Sequence, residues 1–521
     1  DPTLIRRIEA AIERGFCLRF ALRTAAQKFH RELQSVDVEM MRERIADIKD
    51  VILRIYQAAD KLQGLRHDQA GADEDIPNRP VAVARELLPS QFVRLPLATL
   101  AGVVCEQGGA TTHVAILGKA LRVPMLVGVK GVRDAIRPND PLILDCTTDS
   151  CYVRPTADII RRFRPALRFH RRKQAETEEG STHCTYSVTP DGCPVRLAGN
   201  ISLISELPLL KQYGANGVGL YRTEFMFMIR GTYPSEEEQY GVFRRVVEGC
   251  NHSVTLRLLD AGGDKPLPYV DFGREDNPFL GWRGMRFLLG SPHYLEPHLR
   301  ALLRSTAHGK VSILLPMVAD LDELLQLKEV LADIQHDLAR EAVPFDPEYE
   351  LGVMLEVPSA LWALPDMLPH IDFVSIGTND LTQYMFAVDR GNERVARWFQ
   401  PCHPLVLRMI KNTCDLVNET PGKTVSLCGE MAGNVKAIPL LVGAGLRYLS
   451  MNPWQIPRAR KTVESLRLDE CRTFLESCLQ SASTETVQKK IQRFADEHNL
   501  VPKAERRNTA ALPSEKTPES T

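Results

Sequence analysis

Between about residue 190 and residue 480 the chain alternates short apolar runs with longer helical or irregular stretches, and no other feature restricts its fold as tightly. Eight such runs recur: Val195–Ile201, Gly217–Tyr221, Val254–Leu259, Val311–Pro316, Leu351–Glu356, Phe373–Gly377, Val425–Cys428 and Arg447–Met451. Continuous apolar runs of this length are what strands buried on both faces look like. Eight parallel strands over roughly 290 residues predict an α/β fold built on a closed (β/α)8 barrel.

A chain of 521 residues is too long for one ordinary core, so further domains are expected around that barrel. Leu4, Ile5, Ile8, Ala11 and Ile12 recur at helical spacing, as do Met41, Ile45, Ile48, Ile52 and Ile55, so residues 1–66 read as a helical bundle fragment. Residues 67–80 are polar and end with two prolines, which predicts a linker. Residues 81–155 read as a small α/β domain with strands at Val81–Ala84, Leu100–Cys105, Met125–Val129 and Leu142–Asp145. A basic connecting helix and linker is expected over 156–182, then the barrel over 183–480, then a helix and a disordered tail over 481–521.

Composition removes several classes of function. The net charge of −1 gives no reason to invoke nucleic acid, and the arginines between 161 and 172 read as a solvated face. No apolar run approaches the ~20 residues of a membrane helix, so no membrane insertion is expected. The start, Asp1-Pro2-Thr3-Leu4, reads as a capped helix rather than a signal peptide, and without an initiator Met the chain is expected to be a fragment or processed. The 12 cysteines are scattered, which reads as reduced thiols of a cytoplasmic protein.

Reactive groups of such barrels sit at the C-terminal ends of the strands. Here those ends carry Arg222, Arg257, Glu356, Asn379, Asp380 and Cys428, with Arg390 in a following loop. Each has a plain alternative: half of a salt bridge, a helix cap, an inert buried thiol. Together, Arg222, Arg257 and Arg390, with Arg283 as a further candidate, suit a small multiply charged anion, because guanidinium forks match phosphate and carboxylate. Glu356 and Asp380 are hard oxygen ligands suited to one Mg²⁺. Cys428 at the same mouth is suited to protonate a carbanion-like carbon. Upstream, Gly108-Gly109-Ala110-Thr111-Thr112-His113 sits where a strand gives way to a helix. Small residues leave room at the imidazole, and backbone N–H groups and hydroxyls offer donors to an anion, which suits a histidine carrying a phosphoryl group. A structural turn histidine is the other reading of that segment.

These segments resemble Enzyme I of the bacterial phosphotransferase system, within the phosphoenolpyruvate-utilising enzymes. The resemblance rests on Gly108–His113, on Gly214-Ala215-Asn216-Gly217-Val218-Gly219-Leu220-Tyr221-Arg222-Thr223-Glu224, on Asp260-Ala261-Gly262-Gly263-Asp264-Lys265 and on Asn277–Arg283. Asp372–Tyr384, Ala387–Asn392 and Cys428–Gly433 complete it, so that it reaches to about residue 480. It implies a swivelling phosphohistidine domain before a phosphoenolpyruvate-binding barrel. His113 would accept the phosphoryl group, Arg222, Arg257, Asn379 and Arg390 would bind phosphoenolpyruvate, Glu356 and Asp380 would hold Mg²⁺, and Cys428 would protonate the enolate to give pyruvate. Residues 1–66 would be the partial docking domain for the small phosphocarrier HPr, in a sugar or nitrogen-related branch, and the barrel would form a homodimer. Against the family pattern the chain is expected to be truncated at its N-terminus. The related dikinases and synthases share the swivelling histidine and barrel but need an ATP-binding domain, which no segment here resembles. A fold relative that has lost activity and acts as a scaffold is the reading from another class.

Overall fold

A computed structural model describes residues 79–163, interrupted at 88–90, 93–94, 96–99, 108–113, 115–117, 119–122, 138–139, 147–148 and 162, and residues 186–500 except Asp264, Gly391 and Glu393. The helical fragment over 1–66, most of the linker, His113, nearly all of the basic segment after 163 and the tail from 501 lie outside the described residues. The chain divides into two compact units, 1–169 and 170–521.

In the first unit, β1 (Val81–Ala84), β2 (Gly102–Cys105) and β3 (Met125–Leu126) form a parallel sheet in the order β1-β2-β3. Val83 pairs with Val104, and Val104 with Leu126. β3 is shorter than its apolar run, because the chain turns at Gly128 (φ 76°), a conformation that favours glycine. A short helix α1 (Val132–Ala135) follows. β4 (Leu142–Asp145) pairs antiparallel with β5 (Ser150–Val153), a strand the apolar pattern does not announce. Val104, Leu126 and Val132 form the small core. Val114, the residue after His113, is helical and buried.

The second unit is the expected barrel. A two-residue strand β6 (Ser187–Val188) pairs antiparallel with the start of β7 (Pro194–Ile201). Then come β8 (Val218–Tyr221), β9 (Val254–Arg257), β10 (Val311–Leu315), β11 (Glu350–Leu355), β12 (Phe373–Ile376), β13 (Thr424–Leu427) and β14 (Tyr448–Met451). Each is parallel to its predecessor, and β14 returns to β7 in the register Tyr448↔Arg196 to Met451↔Gly199, which closes the cylinder. All eight strands fall within two residues of their apolar runs.

Helices cover the strands. α2 (Leu207–Gln212), α3 (Glu224–Met228) and α4 (Glu236–Glu248) lie between β7 and β9, and α5 (Met285–Leu289) and α6 (Pro292–Thr306) between β9 and β10. α4 opens with a capping box of Ser235 and Glu238. α7 (Leu321–Arg340) starts where the Asp320 side chain accepts the Glu323 N–H at 3.0 Å, and it buries Leu324, Leu327, Leu331, Ile334 and Leu338 at 3- and 4-residue steps. α8 (Pro358–Met367), α9 (Thr378–Phe386), α10 (Pro404–Glu419), α11 (Ile438–Gly443) and α12 (Ile456–Ser465) continue the ring. α13 (Leu468–Leu479) and α14 (Thr484–Glu497) follow, joined by the stacked rings of Phe474 and Phe494.

The main core lies between strands and helices, and a smaller cluster of Leu220, Leu314, Met354, Phe373 and Cys428 fills the barrel interior. Leu256 on β9 has no exposed surface in the main core. Leu256→Ala is expected to lower unfolding stability by about 2–5 kcal/mol, read from urea denaturation of the full chain.

Candidate active site

The barrel's closure puts the ends of β8 to β13 around one rim. β8 delivers Arg222, β9 delivers Arg257 and then Asp260, β11 delivers Glu356, and β13 delivers Cys428. Asn379 and Asp380 lie in the first turn of α9, directly after β12. Arg390 follows α9, its backbone N–H donating to Gln383 Oε1 at 3.1 Å. Arg390 and Asp380 approach to 3.8 Å.

One buried carboxylate organises the rim. Asp260 accepts two parallel hydrogen bonds from Arg283, Nε to Oδ1 and Nη2 to Oδ2, each at 3.0 Å. Lys265 Nζ donates to Oδ2 as well, and Arg257 Nη2 stands 3.7 Å from it. Arg257 also pairs with Glu224, and Arg283 Nη2 reaches Asp380 Oδ1 at 3.4 Å. The result is a chain of alternating sign: Glu224, Arg257, Asp260, Arg283, Asp380. Burial alone would push the Asp260 carboxyl up, but Arg283, Lys265 and Arg257 outweigh it and hold it well below its ordinary value of 3.8. Burial opposes the charge of Arg257 too, yet Glu224, Asp260 and Glu356 keep that guanidinium firmly ionised. The loop after Asp260 is tight: Gly262 has φ 100°, and a Cβ there would meet the Trp282 carbonyl oxygen at 2.3 Å. That approach brings Lys265 and Arg283 back onto Asp260.

Arg283 is therefore fully engaged, with its Nη1 on the Tyr384 hydroxyl at 3.1 Å, and acts as a bolt between loops. Arg222 differs. Its guanidinium has no hydrogen bond or ion pair among the described residues. Burial and the neighbouring Arg257 lower its pKa, against the pull of Glu224, Cys428 and Glu430. Other polar atoms also lack partners among the described residues: Arg257 Nε, the Thr378 hydroxyl and Gln383 Nε2 are buried without one. Buried polar groups are normally paired, so this concentration marks a place shaped for a polar ligand.

Cys428 is 3% exposed, and its Sγ lies 3.8 Å from the Ile376 carbonyl oxygen. Burial pushes the thiol above its ordinary value of 9.0, partly offset by the Ser375 hydroxyl, so the group is protonated at neutral pH. Asn200 on β7 fixes the segment by donating to the Cys428 carbonyl at 2.9 Å. Asn379 Oδ1 accepts the Glu430 N–H at 3.2 Å, tying α9 to the Cys428 loop.

Glu356 and Asp380 are both nearly fully buried. Burial, then repulsion from Asp380, holds the Glu356 carboxyl well above the usual carboxylate range. Its Oε1 accepts the Met317 N–H at 2.8 Å, and Met317 adopts the left-handed φ of 57° there. A Cβ at Gly377 would meet Glu356 Oε2 at 2.8 Å, so glycine leaves space around that carboxylate. Two acidic side chains that repel each other beside reserved space fit one hard divalent cation completed by water and substrate oxygens. No cluster of three or more His, Cys, Asp or Glu capable of holding a metal occurs among the described residues.

Residues 176–468 match the family model of the PEP-utilising enzyme, PEP-binding domain, and residues 76–149 match that of the PEP-utilising enzyme, mobile domain. The phosphoenolpyruvate-protein phosphotransferase of Haemophilus influenzae is 37% identical over 469 residues, covering 90% of this chain and 80% of that protein. The protein of the same name from Staphylococcus carnosus is 38% identical over 498 residues, covering 95% and 85%. The chain belongs to the phosphoenolpyruvate–protein phosphotransferase family.

In this family member, the structure brings Arg222, Arg257, Glu356, Asn379, Asp380, Arg390 and Cys428 to one mouth, while His113 lies outside the described residues. Sequence reasoning gave no role to Asp260 and Glu224. Both lie in segments that carry the family resemblance, Gly214–Glu224 and Asp260–Lys265, and their signal as single residues was an acid set close to arginines at strand ends. Arg283, a candidate for the anion, is instead held by Asp260.

Asp260→Ala leaves Arg283 and Lys265 without their buried partner, so a loss of about 3–5 kcal/mol of stability is expected by chemical denaturation. Because the folded carboxyl titrates below 3.8, its stabilising contribution is complete above that pH and is lost as pH falls through the lower folded value. Cys428 in the wild-type chain is expected to alkylate slowly with iodoacetamide at pH 7 and faster only as pH rises past its ordinary value of 9.0, read by mass spectrometry of the peptide.

Proposed function

We propose that the chain transfers the phosphoryl group of phosphoenolpyruvate to His113, releases pyruvate, and passes the group on to a histidine of an HPr-type phosphocarrier. The observation that carries this reading is the Arg222 guanidinium, unpartnered among the described residues, beside the protonated thiol of Cys428. One offers a fork to an anion, and the other a proton to the carbon that the anion leaves behind.

Arg222 and Arg390 bind the phosphate and carboxylate from opposite sides of the mouth, and Arg257 presents its buried Nε. The first turn of α9 adds backbone N–H donors and the Asn379 amide. Glu356 and Asp380 would hold Mg²⁺, whose charge would offset that of the phosphoryl oxygens. The unprotonated nitrogen of His113 forms a bond to phosphorus as the bond from phosphorus to the enol oxygen breaks. The enolate takes the Cys428 proton on its terminal carbon and becomes pyruvate, and the thiolate regains a proton from solvent. Phosphohistidine then gives up its phosphoryl group to the carrier histidine.

Residues 1–66 are proposed as the part that docks the carrier, 81–155 as the domain that carries His113, and 183–480 as the phosphoenolpyruvate-binding barrel. A homodimer through the barrel and a cytoplasmic location complete the proposal. No helix among the described residues is long and apolar enough to cross a membrane.

Incubation with ³²P-phosphoenolpyruvate and Mg²⁺ is expected to give acid-labile labelling of the chain that His113→Ala abolishes; labelling of that variant would overturn the assignment. Cys428→Ala is expected to slow pyruvate release by about 100-fold or more while labelling of His113 persists. Glu356→Gln resembles the neutral carboxyl that burial favours, so stability without Mg²⁺ should stay within about 1 kcal/mol, whereas the rise in melting temperature with Mg²⁺ and phosphoenolpyruvate should shrink or vanish.

A further inference from the structure

Past the end of β9 the N–H groups of three successive residues go to three different partners, the first still on the neighbouring strand β10 and the next two on side chains. Leu258 donates to the Leu314 carbonyl at 2.9 Å, Asp260 to Glu224 Oε1 at 3.3 Å, and Leu259, between them, to Nε2 of His298 at 3.0 Å. His298 lies on α6 with no exposed surface, between the ring edges of Phe227 and Phe243 at 5.3 and 5.8 Å between centroids. On its other side, Nδ1 is 2.8 Å from Gln239 Oε1, and Gln239 Nε2 donates to the Pro234 carbonyl at 2.8 Å.

This relay allows one tautomer. Gln239 uses its amide N–H on Pro234, so its oxygen accepts, and His298 Nδ1 must carry the hydrogen. Nε2 is then a lone pair facing the Leu259 N–H. A charged imidazolium would set one donor against another, and burial holds His298 neutral by pushing its pKa down to about 3. The residue joined to Leu259 is Asp260, on which Arg257, Lys265 and Arg283 converge.

We propose that His298, oriented by Gln239, is a positioning residue for the anion site. Its neutral imidazole fixes the Leu259 amide and so sets where the Asp260 carboxylate holds Arg257 and Arg283. The imidazole touches no reacting atom and acts from behind the strand end. Its kinetic consequence rests on the phosphoenolpyruvate reading above.

The test compares His298→Gln, which retains an acceptor, with His298→Leu, which does not, in the full chain. His298→Leu should lower kcat/KM for pyruvate release from phosphoenolpyruvate by about tenfold or more, mainly through KM, and His298→Gln should stay within about threefold of wild type. Gln239→Leu should reproduce the His298→Leu loss, and the double variant should be no worse than His298→Leu alone. Wild-type kinetics in His298→Leu, equal losses in the Leu and Gln variants, or additive losses would each overturn the proposal. A second measurement needs neither turnover nor a foldable variant: ¹⁵N-histidine NMR of the wild-type chain should show His298 as the Nδ1–H tautomer, with no titration above about pH 5. The other tautomer, or titration near the ordinary histidine value, sinks the idea even if turnover is normal. Absence of turnover in the wild type, with the expected tautomer present, would count against the functional reading and leave the positioning geometry standing.

Discussion

The carboxylate of Asp260 is the interaction on which the barrel mouth depends. A site for a small, highly charged anion needs guanidinium groups held away from water, where their attraction is strongest and their isolation costs most. Asp260 resolves that conflict by sitting beside Arg257, Lys265 and Arg283 at once. Glu224 and Asp380 extend the alternation to both sides. The network leaves the Arg222 guanidinium without a hydrogen bond or close ion pair among the described residues, though within the pull of Glu224 and Glu430. One arginine is thereby locked as structure, one is shared, and one stands outside the network. The return of β14 to β7 makes this possible, since only a closed rim fixes the ends of six strands with respect to one another.

The barrel was legible in the sequence because its strands are buried on both faces and therefore read as unbroken apolar runs; Val311–Leu315 is the clearest. β5 escaped because Ser150 and Cys151 lack the apolar run that marked the other strands, and it is only half buried. β6 is two residues long, too short to carry a period. The rim residues were legible for a different reason: Arg222, Glu356, Asp380 and Cys428 interrupt apolar runs at their ends, where a barrel places its reactive groups. What stayed hidden was pairing. Asp260 and Arg283 are 23 residues apart, and Leu259 and His298 are 39 apart. Nothing in local pattern says that a helix histidine will accept a strand-end amide; the need arises only when that amide loses the sheet and is buried.

The two carboxylates Glu356 and Asp380 show the same dependence on burial from the opposite side. A pair of acids in sequence is only a candidate for metal binding. In the fold, the rise in the Glu356 titration beside Asp380 turns the pair into a measurable electrostatic imbalance, one that a cation would relieve.

That imbalance has a consequence for the whole molecule. The mouth contains an arginine without a hydrogen bond or close ion pair among the described residues and a Glu356 carboxyl whose titration burial and Asp380 raise. An anion and a cation filling these places would bind the folded form alone, and by mass action a thousandfold excess over Kd would add about 4 kcal/mol to its resistance to unfolding. The durability of this protein would then be tied to the supply of the compound it consumes: as that supply ran down, the barrel would lose stability along with work to do.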